Sequence, residues 1–156
     1  MVRTNVLFLC TGNAARSQMA EAFLRAYAGD RFNAYSAGLT PRGVHPLTVE
    51  VMREAGLDIS AQRSKDLGEY LGHMHFGFLV TVCARAEEQC PRVFPGVGQR
   101  LHWDIPDPLA SEGADEELRP RFRQARDLVD RHIRDWLAGQ DIHVTARTNL
   151  VASETG

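Results

Sequence analysis

The segment VLFLCTGNAARSQMAEAF, residues 6–23, constrains the fold more than any other part of the chain. Its first part, NVLFLC (5–10), is a continuous apolar run, which is typical of a strand buried on both faces of a parallel sheet. A loop of mostly small residues follows, and from Ser17 apolar residues recur at a spacing of four, which predicts a helix. The segment therefore predicts a strand, a loop and a helix, with Cys10 at the end of the strand.

Strand-like and helix-like patterns alternate through the rest of the chain. We predict strands at 32–38, 77–83 and 99–104, and helices at 45–56, at 84–90 and from about Glu116 to Gly139, with Pro120 in or near the first turn of the last helix. This alternation favours right-handed crossovers and an α/β fold: a small doubly wound four-stranded parallel sheet with helices on both faces. We expect residues 1–139 to form a single domain and residues 140–156, where the periodicity is lost, to form a weakly ordered C-terminal tail.

The composition is that of an ordinary globular protein. The chain has 156 residues, a formal net charge of −2 and 44% hydrophobic residues, so nothing points to a nucleic-acid partner. No apolar stretch approaches the roughly 18 residues of a membrane span, and the N-terminal residues lack the features of a signal peptide. The three cysteines, an odd number, indicate free or catalytic thiols in a reducing compartment. We therefore expect a cytoplasmic protein with no membrane or nucleic-acid partner.

The loop between Cys10 and Arg16 carries the strongest chemical signal. Its backbone N–H groups can turn inward and surround a tetrahedral oxyanion, and they belong to Thr11, Gly12, Asn13, Ala14 and Ala15. The N-terminus of the following helix adds unpaired donors, and Arg16 adds a planar fork that grips two oxygens. The same field favours the thiolate form of Cys10, and Ser17 is placed to donate a hydrogen bond to it. The alternative is a buried structural cysteine beside a capping arginine.

Other chemically active residues also follow predicted strands. Ligands of parallel α/β sheets bind beyond the carboxyl ends of the strands, and Cys10, Cys83 and the loop after Trp103 all lie at this edge. That loop, IPDPLASEG, contributes a carboxyl group that can act as a general acid. Asp107 and Asp104 are the two candidates.

These segments together resemble a known family. VLFLCTGNAARSQMAEAF resembles the active-site segment of the low-molecular-weight protein tyrosine phosphatase fold, and the variant CTGN..RSQMAE is most similar to the thioredoxin-coupled arsenate reductases of that fold. The similarity covers most of residues 5–137, through YSAG (35–38), GLDIS (56–60), VTVC (80–83) and HWDIPDP (102–108). The resemblance implies a catalytic domain that reduces arsenate for detoxification, with thioredoxin as the reductant and no tightly bound cofactor.

The resemblance also implies roles for individual residues. Cys10 attacks arsenate while Asp107, rather than Asp104, protonates the departing water. Cys83 then attacks the Cys10 sulfur and releases arsenite, and Cys90 attacks Cys83 to give a Cys83–Cys90 disulfide that thioredoxin reduces. The polar segment 84–90 must rearrange for this last step. Without the resemblance, the two later cysteines would be interpreted as a small buried apolar residue and an incidental surface thiol.

The chain departs from the family pattern in two places. Within positions 14–15 the family commonly has serine and sometimes cysteine, whereas this chain has Ala14 and Ala15, so a hydroxyl that tunes the loop is missing. Leu109-Ala110 stands where tyrosine phosphatases of this fold usually carry two tyrosines, which weakens phosphotyrosine recognition.

A potassium ion is a further candidate from the resemblance. The residues that match a potassium site in some reductases are Asn13, Glu21, Ser36 and Asp66. The alternative, which we favour, is a polar network that braces the loop. Zinc is not expected, because no cysteine and histidine pairs have the spacing of a zinc site.

Two other functions stay open on the sequence. A phosphatase of the same fold would hydrolyse phosphate monoesters through a Cys10 phosphocysteine and would need neither Cys83 nor Cys90. A noncatalytic oxyanion or redox sensor would bind without multiple turnover, and its cysteines would switch its association with a partner.

Overall fold

Strands and helices alternate along the residues that the computed structural model describes, which are 2–70, 72–90 and 96–142. In chain order the elements are β1 (Thr4–Cys10), α1 (Arg16–Ala28), β2 (Phe32–Gly38), α2 (Pro46–Glu54), a 3-10 helix (Leu67–Glu69), β3 (Phe76–Thr81), α3 (Ala84–Gln89), β4 (Val97–His102) and α4 (Asp115–Gly139). The predicted α/β class is confirmed.

The four strands form one parallel sheet in the order β2-β1-β3-β4. Its central row pairs Leu7 of β1 with Tyr35 of β2 on one side and with Leu79 of β3 on the other. The apolar run of β1 is fully enclosed, as its composition predicts, because Val6 through Cys10 are each at most 2% exposed. Since the strands are parallel, their carboxyl ends lie at one edge, where the chain leaves β1 at Cys10.

Helices cover both faces of the sheet. Successive side chains of a strand point to opposite faces. Phe32 and Phe78 each contact Trp136 of α4, with ring centroids 5.0 Å apart. Thr81 belongs to the other face and donates a hydrogen bond to Glu87 of α3. Helix α1 packs beside α4, so the predicted doubly wound arrangement is confirmed.

Most predicted elements are present with shifted ends. β3 ends at Thr81 rather than at residue 83, so Cys83 becomes the N-cap of α3. Helix α4 begins at Asp115, which places Pro120 in its second turn, just beyond the expected one. The 3-10 helix was not predicted, although Asp66 and Glu69 form its capping box.

Helix α4 is the last described element that packs against the core. It ends at Gly139, and Ile142 still packs against the core while its N–H donates to the Leu137 carbonyl at 2.8 Å. Residues 143–156 of the predicted tail lie outside the described residues, so the tail and the domain boundary stay predictions. None of the helices within the described ranges is long and apolar enough to cross a membrane.

The end of β2 lies directly against the loop that follows β1. A Cβ atom added at Gly38 would lie 2.9 Å from the Asn13 nitrogen and 2.9 Å from the Thr11 oxygen. Both atoms are backbone, so the loop itself would have to move. Glycine at this position therefore permits the close approach that fixes the loop on the sheet.

We predict that Gly38→Ala lowers the free energy of unfolding by about 1–3 kcal/mol, because overpacking forces the backbone to shift. Gly139→Ala is the matched control, since nothing lies within 4 Å of a Cβ there, and it should leave stability unchanged or raise it by up to about 1 kcal/mol. Urea unfolding of both variants measures the difference. Equal effects at the two positions would contradict the close-packed loop.

Candidate active site

Cys10 lies at the end of β1, with its sulfur enclosed by the loop that leads into α1. The residue is 2% exposed. Its Sγ lies 2.8 Å from the Ser17 hydroxyl, and the Asn13 backbone N–H donates to it at 3.2 Å. Donors directed at a sulfur atom stabilise its negatively charged form more than its neutral form.

The carbonyl groups of the loop are all fixed by hydrogen bonds to surrounding segments. The acceptor and donor pairs are Thr11 O with Thr40 N at 2.8 Å, Gly12 O with Arg42 N at 3.0 Å, Asn13 O with the Ser64 hydroxyl at 2.7 Å, and Ala14 O with His45 N at 3.0 Å and the Thr48 hydroxyl at 2.8 Å. Four consecutive carbonyls therefore point away from the space above Cys10.

This anchoring decides where the loop N–H groups point. In a planar trans peptide the N–H is directed opposite to the carbonyl of the preceding residue, and the described part of the chain has no cis peptide bond. The N–H of Asn13 accordingly reaches the Cys10 sulfur. The same rule directs the N–H groups of Gly12, Ala14 and Ala15 away from the anchored carbonyls, and these three residues line the cavity. The result is a concave set of donors of the kind that binds oxyanions.

The N-terminus of α1 opens onto the same space. Helix α1 has no side-chain cap at its first turn, because Ala15 occupies the N-cap position. Its first N–H groups and the positive end of its dipole are thus available to an anion, as the sequence predicts.

Asn13 holds the loop from inside. It adopts a positive φ of 49° and is fully buried. Its side-chain amide donates to the Ser17 hydroxyl at 2.7 Å, and its side-chain oxygen accepts from Lys65 N at 2.9 Å and from the Gln18 amide at 2.9 Å. Unlike its loop neighbours, Asn13 does not line the cavity. Its role in the site is to orient Ser17 and the Cys10 sulfur.

Arg16 links the loop to the segment that follows β4. Its guanidinium donates to the Ile105 carbonyl at 2.9 Å and lies 3.8 Å from the Asp107 carboxylate. The other carboxylate oxygen of Asp107 accepts from Leu109 N at 2.9 Å, while about half of the side chain stays exposed. Asp104 also lines the cavity, but only Asp107 is drawn toward Arg16 among the contacts of the described residues.

A cavity of about 420 Å³ joins these groups, and its walls come from the loop after β1, the start of α3 and the segment after β4. It is lined by Cys10, Thr11, Gly12, Ala14, Ala15, Arg16, Arg42, Cys83, Ala84, Arg85, Asp104, Ile105, Pro106, Asp107 and Leu109. The carboxyl ends of three strands thus meet at one site, as the strand order requires.

The second thiol lies at this cavity and the third does not. The sulfur of Cys83 is 3.3 Å from the Thr11 hydroxyl and accepts from Ala86 N at 3.4 Å. Cys90 lies beyond the other end of α3, outside the cavity lining. All three cysteines are free and buried. Burial raises the pKa of the Cys90 thiol, against the opposing charge of Arg100.

Two of the potassium candidates are bound to a lysine that the sequence analysis did not single out. The Lys65 ammonium lies 3.0 Å from the Glu21 carboxylate and 3.2 Å from the Ser36 hydroxyl, and both ionic side chains are under 10% exposed. Asp66 instead caps the 3-10 helix through Gly68 N. A potassium ion at the same place would face the positive charge of this ammonium, and like charges repel strongly in a buried site. Within the described ranges, no group of three or more His, Cys, Asp or Glu side chains could hold a metal ion.

Sequence reasoning also missed the side chains that connect the loops to one another. Thr11, which touches Cys83, and Lys65, which touches Glu21, lie 72 and 44 residues from these partners. Only the tertiary fold brings such pairs together. The one local signal is that Lys65 directly precedes the candidate Asp66.

Comparison with known proteins agrees with this geometry. The family model for low molecular weight phosphotyrosine protein phosphatase matches residues 5–147. The arsenate reductase of Bacillus licheniformis is 40% identical over 134 residues, which cover 86% of this chain and 95% of that protein.

Solved structures give the same result. A structure described as an arsenate reductase in the oxidized state superposes with a TM-score of 0.74 at 26% identity, over 87% of this chain and 98% of the other. The Corynebacterium glutamicum thioredoxin-dependent arsenate reductase superposes with a TM-score of 0.62 at 30% identity, over 88% of this chain and 61% of the other. This chain belongs to the low-molecular-weight phosphotyrosine protein phosphatase family.

Proposed function

We propose that this protein is an arsenate reductase that converts arsenate to arsenite through a relay of Cys10, Cys83 and Cys90. The observation that carries the proposal is the position of Cys83, whose sulfur lies at the cavity of Cys10 and against its neighbour Thr11. Hydrolysis of a phosphate ester needs one nucleophilic thiol. A second thiol at the same cavity can form a disulfide with the first and so supply two electrons, which hydrolysis does not require.

The similar proteins support the same choice. The Bacillus licheniformis relative is an arsenate reductase, and the Corynebacterium glutamicum structure is of a thioredoxin-dependent one. Arsenate is a tetrahedral oxyanion, which suits the convergent N–H groups of the loop and the fork of Arg16.

In the first step the Cys10 thiolate attacks the arsenic atom of arsenate bound in the loop. The Ser17 hydroxyl and the Asn13 backbone N–H both contact the sulfur and fix its position. As the Cys10–arsenic bond forms, one arsenate oxygen leaves as water with a proton supplied by Asp107. Arg16, held by the Ile105 carbonyl, grips the remaining oxygens.

In the second step the Cys83 thiolate attacks the sulfur of Cys10. A Cys10–Cys83 disulfide forms, and the sulfur–arsenic bond breaks with its electron pair left on arsenic. The arsenic is thereby reduced by two electrons and departs as arsenite.

In the third step Cys90 attacks Cys83 and releases Cys10 as a thiolate. The resulting Cys83–Cys90 disulfide passes its oxidation to a dithiol, for which we propose thioredoxin. Such a cycle needs reduced thiols at rest, as all three cysteines are here, and therefore a reducing compartment such as the cytoplasm.

We also propose that Asn13, Glu21 and Ser36 act as a brace for the loop rather than as potassium ligands. Lys65 supplies the positive charge beside Glu21, and its backbone N–H holds the Asn13 side chain. The brace ends at Ser17 and the Cys10 sulfur, so it bears directly on the nucleophile.

A weak phosphatase activity is the second candidate. Cys10, Arg16 and Asp107 share one cavity and would suffice for phosphoryl transfer. Leu109, at the cavity rim, provides little for an aromatic ring to stack on, so we expect small or non-aromatic phosphate esters to be turned over slowly.

The decisive test is a single turnover of fully reduced protein with arsenate and no added reductant. We expect one arsenite per chain and a Cys83–Cys90 disulfide, measured by arsenic speciation and by peptide mapping under acid quench. Cys90→Ser should still release arsenite but stop at the Cys10–Cys83 disulfide, and Cys83→Ser should release none.

Two outcomes would contradict the reductase. Turnover of aryl phosphates that survives loss of both Cys83 and Cys90, with no arsenite formed, would establish the phosphatase. Binding of arsenate without any arsenite or disulfide, under any dithiol, would establish the sensor.

We predict that Asp107→Asn slows arsenite release in the first turnover by about 10²-fold or more, because a positioned general acid typically contributes 10²–10⁴-fold. Asp104→Asn is the matched control, since it removes the other carboxylate at the cavity and should change the rate less than threefold. Rapid-quench measurement at saturating arsenate separates the chemical step from binding. A larger effect at Asp104 would reverse the assignment of the acid.

The effect of potassium chloride on the protein distinguishes a bracing role of Asn13, Glu21 and Ser36 from a potassium site. At constant ionic strength, exchanging sodium for potassium chloride should leave the stability and the first-turnover rate of the unsubstituted protein unchanged. Lys65→Met leaves Glu21 with the half-exposed Arg25 as its cationic partner, 2.9 Å away, and should lower the free energy of unfolding by about 1–3 kcal/mol. A marked increase in the stability or the first-turnover rate of the unsubstituted protein in potassium chloride would instead establish the potassium site.

A further inference from the structure

Helix α3 separates the two thiols that must meet in the last step of the proposed relay. It spans Ala84–Gln89, with Cys83 as its N-cap and Cys90 as its C-cap. A helix rises about 1.5 Å per residue, which puts the two Cα atoms about 10 Å apart along its axis. A disulfide needs Cα atoms within about 7 Å. The Cys83–Cys90 bond therefore cannot form until α3 unwinds.

Helix α3 has little apolar hold on the sheet. Ala86 is its one buried residue, and alanine contributes little area. Arg85 and Glu88 are exposed. Polar contacts must therefore account for much of what keeps α3 closed.

Glu87 makes a concentrated set of such contacts. Its carboxylate accepts a hydrogen bond from the buried hydroxyl of Thr81 on β3. The same carboxylate lies 3.6 Å from the Arg100 guanidinium and 3.7 Å from the His102 ring on β4. Its backbone carbonyl accepts from Arg100 at 2.9 Å.

These contacts depend on one another. The Thr81 hydroxyl on β3 also lies 2.8 Å from the His102 ring nitrogen on β4. Since both residues contact the Glu87 carboxylate, the two strands hold it together. Unwinding α3 would move the Glu87 backbone and carboxylate together and break the set at once. A group that connects one short helix to two strands in this way controls how often the helix opens.

The neighbouring thiol is inactive while the helix is closed. Cys90 is 3% exposed, and burial raises its pKa, with a smaller contribution in the same direction from the Glu87 charge. A buried neutral thiol is a poor nucleophile. Opening of α3 would remove the burial and bring the sulfur toward Cys83.

We propose that Glu87 is a positioning residue that holds α3 closed and thereby sets the rate at which Cys90 reaches Cys83. The inference rests on the proposed function for its place in the reaction. Arsenite release does not involve Cys90, so Glu87 controls the second disulfide and leaves the first one unaffected. Stronger contacts of Glu87 would protect Cys90 better at rest, and weaker contacts would let the second disulfide form faster.

The test compares Glu87→Gln with Glu88→Gln, an equally conservative change at the next, exposed position of the same helix. In a single turnover with arsenate, Glu87→Gln should form the Cys83–Cys90 disulfide about tenfold faster, since a charge-assisted hydrogen bond and an ion pair are weakened. Formation of the Cys10–Cys83 disulfide should stay within twofold. Glu88→Gln should match the unsubstituted protein in both steps.

A second readout needs no arsenate and separates this inference from the function itself. In the fully reduced protein, alkylation of Cys90 by iodoacetamide, followed by peptide mass spectrometry, should be about tenfold faster in Glu87→Gln. Thr81→Val, which removes the buried donor with little change of shape, should act in the same direction. Glu88→Gln should not.

The outcomes are distinct. Absence of arsenite in the unsubstituted protein would overturn the reductase proposal, and faster Cys90 alkylation in both Glu87→Gln and Thr81→Val, which keeps the Glu87 charge, would still establish the hold on α3. Unchanged or slower Cys90 alkylation and second-disulfide formation in Glu87→Gln would overturn the role of Glu87. Equal acceleration by Glu88→Gln would show a general effect of helix charge and would overturn it as well.

Discussion

The site depends on the outward anchoring of four consecutive carbonyls, those of residues 11–14. Each is held by a donor from a different part of the chain, between residues 40 and 64. Peptide planarity then directs the intervening N–H groups toward the space above Cys10 without a contribution from the side chains of Ala14 and Ala15. This explains how Ala14 and Ala15 can belong to the loop without supplying a side-chain hydroxyl. The binding surface is made of backbone, and its precision comes from the segments that surround it.

The nucleophile depends on a second, internal set of contacts. The buried pair of Lys65 and Glu21 is joined to Asn13, and Asn13 is joined to Ser17 and the Cys10 sulfur. Buried ion pairs contribute little net stability but specify one arrangement at a considerable cost if broken. Here that arrangement includes the positive φ of Asn13, which turns its N–H onto the sulfur. The loop is therefore preorganised before any anion arrives.

Sequence reasoning reached the fold and predicted that Cys10, Cys83 and Asp107 come together, because the signals for both are local. The apolar run of β1, the small loop and the spacing of α1 are each readable within residues 5–28. Parallel strands then require that Cys10, Cys83 and the Asp107 loop share one edge. Lys65, the hydroxyl of Thr11 and the hold of Glu87 on α3 have no local pattern, because their partners lie on other elements.

We infer that backbone N–H groups, rather than exposed arginines, bind the oxyanion. The direct measurement is an arsenate titration of ¹⁵N-labelled Cys10→Ser protein, which retains the loop but cannot react, followed by amide chemical shifts. We predict that the largest shifts fall on Gly12, Ala14, Ala15 and Arg16, which line the cavity. Shifts centred on the exposed rim residues Arg42 and Arg85, with the loop amides unchanged, would show that these arginines bind the anion instead.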